Sequence, residues 1–146
     1  QGVCKSKIIS LAEPFKGKIN FYDSLSREEL VKYINKASVC IVPLKDRELF
    51  KSALPSKMFE YMACERPVIV GIKGEAKKLI NNAKAGIAIE PENPLNLSKA
   101  ILAYYNNRKK CRIHGKNGLR YVTSNLSKEV LISKLISKLK SEQKTI

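Results

Sequence analysis

The sequence predicts an α/β domain, with one parallel sheet joined by crossover helices and followed by a helical C-terminal segment. Three observations carry that reading. Short apolar runs alternate with longer amphipathic stretches, the pattern of repeated strand–helix–strand units. The runs Val39-Cys-Ile-Val-Pro-Leu44 and Pro67-Val-Ile-Val-Gly71 lack the polar alternation of a strand with one wet face, so both faces must be covered. Beyond Leu95 the strand pattern ceases, and residues from about 95 to 142 read as helix.

Lys18-Ile-Asn-Phe-Tyr22 reads as a first strand, ended by the turn-prone pair Asp23-Ser24. Ser26-Arg-Glu-Glu29 then forms a capping box: the Ser26 hydroxyl satisfies a first-turn amide, and the Glu29 carboxylate reaches back to the Ser26 amide. Leu30, Val31, Ile34 and Ala37 continue at helical spacing on one face. Val39 to Leu44 is the next strand, and Pro43 has no amide to extend its ladder. After the charged loop from Lys45 to Lys51, Pro55 opens a helix with Met58, Phe59, Met62 and Ala63 on its apolar side. Pro67 to Gly71 is a strand, Glu75 to Ala83 a helix, and Ala85-Gly-Ile-Ala-Ile89 the last strand, closed by the turn Pro91-Glu-Asn-Pro94. In the helical tail, Gly115 and Gly118 are expected to break the middle. Leu131, Ile132, Leu135 and Leu139 line one side of a final helix near Lys128 to Lys140. No repeat or linker interrupts the series, so residues 1–146 read as one domain.

Composition narrows the classes. The 146 residues suffice for one core, and 44% hydrophobic with 28% charged residues is a globular balance. No apolar run approaches the roughly 18 residues that cross a bilayer, and no signal-peptide pattern opens the chain. The first residue is Gln1, running straight into Gly2-Val-Cys-Lys-Ser, so a further segment is expected to precede it. Cys4, Cys40, Cys64 and Cys111 stand singly, as thiols of a reducing compartment do. Zinc would need paired spacing and more histidine than His114, which sits among Lys110, Arg112 and Lys116 and reads as a solvated surface residue. Asn96-Leu-Ser98 and Asn125-Leu-Ser127 match the glycosylation pattern but carry no weight without a secretory signal.

The net charge is +15, and it is uneven. From Asn107 to Ile146, eleven Lys and Arg face only Glu129 and Glu142, a net of +9. Such a bias points to nucleic acid, an anionic membrane surface or a phosphorylated ligand, or else to ordinary solvated lysines. With aromatics at 7%, and no recognition motif around Tyr104, Tyr105 and Tyr121, nucleic acid is the weaker partner.

In open parallel sheets, ligands bind beyond the carboxyl ends of the strands. Three loops of this chain fall there: the one after Leu44, the one entering the helix at Pro55, and Gly71-Ile-Lys-Gly-Glu75. Helix starts offer unpaired amides and a positive dipole end, so both helices favour phosphate. Lys57 adds a charge at one start and Lys73 at the other. Ser56, Lys57 and Glu60 share a helix face. Glu60 is placed to accept two hydrogen bonds from a ribose diol, or else forms a simple surface pair with Lys57.

The segment Leu54-Pro-Ser-Lys-Met-Phe-Glu-Tyr-Met-Ala63, followed by Arg66-Pro-Val-Ile69 and Gly74-Glu75, resembles the C-terminal domain of group 1 (family 4) retaining glycosyltransferases. The similarity runs from about Ile19 to Ala100 and takes in Phe21, Ala37-Ser-Val-Cys-Ile-Val-Pro43 and Ala85-Gly-Ile-Ala88. It is strongest to members that assemble bacterial surface polysaccharides. The resemblance implies the Rossmann-like C-terminal half of a GT-B fold, truncated at its N-terminus. It implies a nucleoside diphosphate sugar as donor and a saccharide or lipid-linked acceptor.

On that resemblance the donor-binding residues are Ser52, Ala53, Leu54, Ser56, Lys57, Glu60, Gly74 and Glu75. Glu60 matches the second glutamate of the family's Glu-x7-Glu motif, the one that holds ribose. Ser52 stands where the first glutamate belongs, leaving the amides of Ala53 and Leu54 for the transferred sugar; Pro55 has none. Catalytic groups are expected in a preceding N-terminal domain, the implied partner of this one. Asp23 and Asp46 are the only aspartates and form no Asp-x-Asp, so neither metal nor cofactor is expected. The implied location is cytoplasmic, with the basic last helix suited to peripheral contact at the inner membrane face. The alternative is a non-catalytic basic module for nucleic acid or an anionic membrane.

Overall fold

The computed structural model describes residues 2–143, so Gln1 and residues 144–146 lie outside it. The chain folds as two compact units, one ending at Tyr33 and the other beginning at Ile34. In the first, helix α1 (Lys5–Ala12) leads into a single 3-10 turn at Glu13–Phe15. The Lys5 ammonium pairs with Asp23, and the Tyr22 and Tyr33 rings lie 4.5 Å apart.

The expected strand at Lys18 to Tyr22 does not form. The segment makes one isolated bridge, between Lys16 and Ile19, and Ile19, Phe21 and Tyr22 stay exposed. A strand persists only where a neighbour takes up its amides and carbonyls. Among the described residues no ladder pairs with this segment. The capping box is present as read: the Ser26 amide donates to the Glu29 carboxylate at 2.9 Å, and the Glu29 amide donates to the Ser26 hydroxyl at 3.2 Å. It starts helix α2 (Arg27–Lys36), which crosses the boundary between the units.

The second unit is a Rossmann-like α/β layer. Strands β1 (Cys40–Pro43), β2 (Val68–Gly71) and β3 (Gly86–Ile89) form a parallel sheet in that order. Its register aligns Pro43 with Gly71, and Gly71 with Ile89, so the three strands end at one level. A short helix α3 (Glu48–Lys51) and helix α4 (Ser56–Ala63) cross from β1 to β2, and α5 (Glu75–Ala83) crosses from β2 to β3. The helical segment follows as α6 (Pro94–Tyr105), α7 (Arg108–Leu126) and α8 (Lys128–Gln143).

Alternation along β2 splits its side chains between two cores. Val68 and Val70 pack with Val42, Met58, Met62, Ile72, Ala76, Ile80 and Ala85. Ile69 packs on the opposite face with Ala100, Tyr104 and Cys111. All three β2 side chains are fully buried, each contributing roughly 1.5–3 kcal/mol of transfer free energy. The continuous apolar run is thus explained by helices on both faces.

The two tail glycines do not break a helix. α7 runs unbroken from Arg108 to Leu126, and the break falls earlier, at Asn106 and Asn107. A Cβ at Gly115 would lie 2.3 Å from the Glu65 carbonyl oxygen, and one at Gly118 would lie 3.2 Å from Met62 Cγ. Both glycines let α7 approach the end of α4 closely. That packing offsets the roughly 1 kcal/mol of helix propensity each glycine gives up.

Candidate functional site

The carboxyl ends of β1, β2 and β3 each release a loop, and each loop leads into a helix. α4 and α5 begin without a side-chain cap: Pro55 and Gly74 occupy the cap positions, and neither supplies a side-chain acceptor. α6 begins differently, because the Asn93 side chain accepts from the Asn96 amide at 2.9 Å. First-turn amides at Ser56 and Lys57, and at Glu75 and Ala76, are therefore left to an external acceptor.

Gly74 packs the start of α5 against the end of α3, the short helix that precedes α4. Its φ is 77°, and a Cβ there would fall 1.9 Å from the Lys51 carbonyl oxygen. Only glycine lets the α5 start press against the end of α3. The turn at Ser52 and Ala53 thereby lies beside Gly74 and Glu75. The Ser52 hydroxyl donates to the Leu49 carbonyl at 3.4 Å, and the Ala53 amide donates to the Phe50 carbonyl at 3.2 Å. Leu54 stands 47% exposed where this turn enters α4.

Lys57 and Glu60 are exposed on α4, and among the described residues neither joins an ion pair. The alternative of a Lys57–Glu60 surface pair is not what the side chains do. Glu75 pairs with Lys78 at 2.8 Å, one helical turn away, and that contact raises the lysine's pKa.

Lys73, which read as a phosphate-facing charge, is committed elsewhere. Its ammonium meets Asp46 at 2.5 Å and Glu90 at 3.8 Å, and Lys77 meets Glu90 at 3.2 Å. The hydrogen bond to Asp46 leads the causes that raise the Lys73 pKa. The Glu92 carboxylate accepts from the Asp46 amide at 3.0 Å. Asp46, Lys73 and Glu90 follow β1, β2 and β3 in turn, so this network ties the three loops together. The signal for it was the shared level of the strand ends, which spacing within one segment does not reveal.

A second concavity of about 270 Å³ opens at the same sheet end toward α6, lined by Ile41, Pro43, Gly71, Ile89, Pro94 and Leu97 together with Glu92 and Asn93. It is apolar with a polar rim. No group of three or more His, Cys, Asp or Glu side chains among the described residues is arranged to hold a metal ion.

Residues 5–121 match the family of glycosyl transferases group 1. The chain belongs to that family. It is 27% identical over 109 residues to an uncharacterized glycosyltransferase, MJ1178, of Methanocaldococcus jannaschii, covering 73% of this chain and 30% of that one. Its fold matches that of sucrose-phosphate synthase from Thermosynechococcus elongatus with a TM-score of 0.78 at 23% identity. That match covers 97% of this chain and 35% of the synthase. This glycosyltransferase domain therefore spans well under half the length of either relative.

Away from the sheet end, the reading of His114 as a solvated residue is corrected. Its Nδ1 lies 2.9 Å from the Tyr104 hydroxyl, with the rings edge to face. Burial first, and the Lys110 charge second, push its pKa below the ordinary histidine value. Cys40 is buried, and its thiol is pushed up to about 11, a structural rather than reactive group. No described helix is long and apolar enough to cross a membrane.

Proposed function

We propose that this domain is the donor-binding, C-terminal half of a GT-B-fold retaining glycosyltransferase of family 4. It takes a nucleoside diphosphate sugar as donor. One observation carries the reading: two uncapped helix starts, α4 and α5, lie in the segments that follow the carboxyl ends of β1 and β2, the α5 start packs on the end of α3, and α4 carries a lysine and a glutamate that join no ion pair among the described residues. Amides at Ser56 and Glu75 suit a diphosphate, whose charge grows as the glycosidic bond breaks. Lys57 adds a full positive charge at the α4 start. Glu60 accepts from the ribose hydroxyls, one turn further along.

Ser52 and the Leu54 backbone are the polar groups available to the transferred sugar. The groups that perform the transfer, and the saccharide or lipid-linked acceptor site, belong to an N-terminal domain. In this scheme helix N-termini and Lys57 neutralise the leaving group, with no metal required. Surface-polysaccharide assembly at the cytoplasmic face of the membrane fits the Pro-Ser-Lys form of α4 and the basic tail.

The test is a titration of this chain with UDP, GDP, ADP and TDP in turn, comparing the native protein with Glu60→Ala. For whichever nucleotide binds, the substitution weakens affinity about tenfold, the scale of one hydrogen bond to a charged group. An unchanged dissociation constant would remove Glu60 from the ribose.

A further inference from the structure

The opposite end of the sheet carries a cavity of about 500 Å³ that donor binding does not use. Ser38 lines it just ahead of β1, Glu65, Arg66 and Pro67 just ahead of β2, and Arg108, Cys111 and Arg112 along the first turns of α7. Three guanidiniums and one carboxylate thus border one space. Among the described residues, none of these four charges is in an ion pair.

Two of the three arginines are held in place. Arg66 Nε donates to the Cys64 carbonyl at 2.9 Å, and its Nη1 donates to the Ala37 carbonyl at 3.2 Å, which fixes the plane of the guanidinium. Arg108 lies over the Tyr105 ring at 5.5 Å. Arg112 follows Arg108 by one turn on the same helix face, where like charges repel. The Cys111 thiol donates to the Ser38 carbonyl at 3.2 Å. Burial pushes the Cys111 thiol's pKa up, and the charges of Arg108 and Arg66, which line the same cavity, oppose that.

We propose that this cavity binds a phosphate group, as a phosphomonoester or diphosphate, gripped by Arg66, Arg108 and Arg112. The rigid fork of a guanidinium matches phosphate oxygens bidentately, as a lysine ammonium does not. A bound dianion relieves the Arg108–Arg112 repulsion and balances the excess of three positive charges over one negative. Strands of four residues set this site about 13 Å from the donor loops, so both can be filled at once. It also gives the polyanionic partner, expected from the charge of the tail, a defined place in the fold.

Amide resonances of the 146-residue chain, titrated with pyrophosphate, test the site. The expected result is a saturable shift at Glu65, Arg66 and Arg108 to Arg112. Arg108→Gln/Arg112→Gln, at two exposed helix positions, weakens that binding about tenfold or more. Arg108→Lys/Arg112→Lys keeps the charge and loses the fork, so it too binds less tightly. Full affinity in the lysine variant, or pyrophosphate shifts unchanged in the glutamine variant, overturns the proposal. Shifts confined to the first turns of α4 and α5 also overturn it while leaving the donor reading standing. Phosphatidylcholine vesicles with and without phosphatidylglycerol separate the source: a lipid headgroup perturbs these same amides only in anionic vesicles, and a soluble phosphate ligand leaves vesicles without effect there.

Discussion

The starts of α4 and α5 differ from the start of α6, although all three helices leave the same end of the same sheet. Asn93 closes α6 with its own side chain, and the Pro94 that follows has no amide to satisfy. α4 and α5 begin at Pro55 and Gly74, which offer no side-chain acceptor. The α4 start at Pro55 forgoes about 1 kcal/mol of helix stability, and the α5 start at Gly74 a few tenths. On the proposed function, α4 and α5 keep their amides for the donor's diphosphate, whereas α6 is closed by its own side chain. On that proposal the contrast separates the two crossovers from the helix that follows β3.

The largest effect expected on this contrast is at Gly74. Gly74→Ala would set a methyl 1.9 Å from the Lys51 carbonyl oxygen, in a backbone conformation with φ of 77°. Either the α5 start or the end of α3 must move. We expect a loss of about 3 kcal/mol or more in urea unfolding, and loss of nucleotide affinity with it. A variant with native stability and native affinity would show that the α5 start does not need its close contact with the end of α3.

The caps themselves can be exchanged, with a smaller effect. Asn93→Ala should cost about 1 kcal/mol in unfolding while nucleotide affinity stays native. Pro55→Asp should do the reverse. Its carboxylate can accept from the α4 amides and repels a diphosphate, so affinity falls about tenfold. Stability changes by only a few tenths of a kcal/mol, because the new cap is offset by the freedom lost with proline. Equal behaviour of the two variants would erase the distinction between the helix starts.

Much of this fold was readable in the sequence because its signals are local. Ser26 and Glu29 announce their box, and unbroken apolar runs at Val39 and Pro67 announce strands, although only β2 is covered on both faces: in β1, at an edge of the sheet, Cys40 and Val42 are buried while Ile41 and Pro43 are exposed. The misreadings share one cause, a dependence on distant partners. Ile19 to Tyr22 has strand composition but no ladder to join, so composition alone could not make it a strand. Gly115 and Gly118 read as breakers until Glu65 and Met62 are seen to need the space. Lys73 read as a ligand until strand register set Asp46 and Glu90 beside it. Of the candidate site, the loops and helix starts were legible. The Gly74–Lys51 contact that packs the α5 start on the end of α3 was not, because it joins two segments that no pattern links.

The α6 side carries the smallest effect expected, and it confirms or breaks the view of that side as purely structural. Tyr104 on α6 is fully buried, and its hydroxyl shares a hydrogen bond of 2.9 Å with His114 Nδ1 on α7. Burial holds the His114 pKa below its ordinary value of 6.5, with Lys110 adding to the effect and a backbone bond to Gly86 opposing it. The unfolded chain therefore binds this proton more readily than the folded one. Stability from this site is complete above pH 6.5 and declines as pH falls from there toward the lowered folded value. His114→Gln retains a partner for the Tyr104 hydroxyl but cannot take up the proton, so the acid-side slope of stability should flatten in that window. The phosphate of a nucleoside diphosphate takes up its own proton in the same window, so the comparison is between variants at one pH: His114→Gln and the native chain should bind nucleotide equally at each pH. An acid slope that survives in His114→Gln would place the proton on another residue, and a nucleotide affinity that differs between the two chains would couple the two sides that the helix caps set apart.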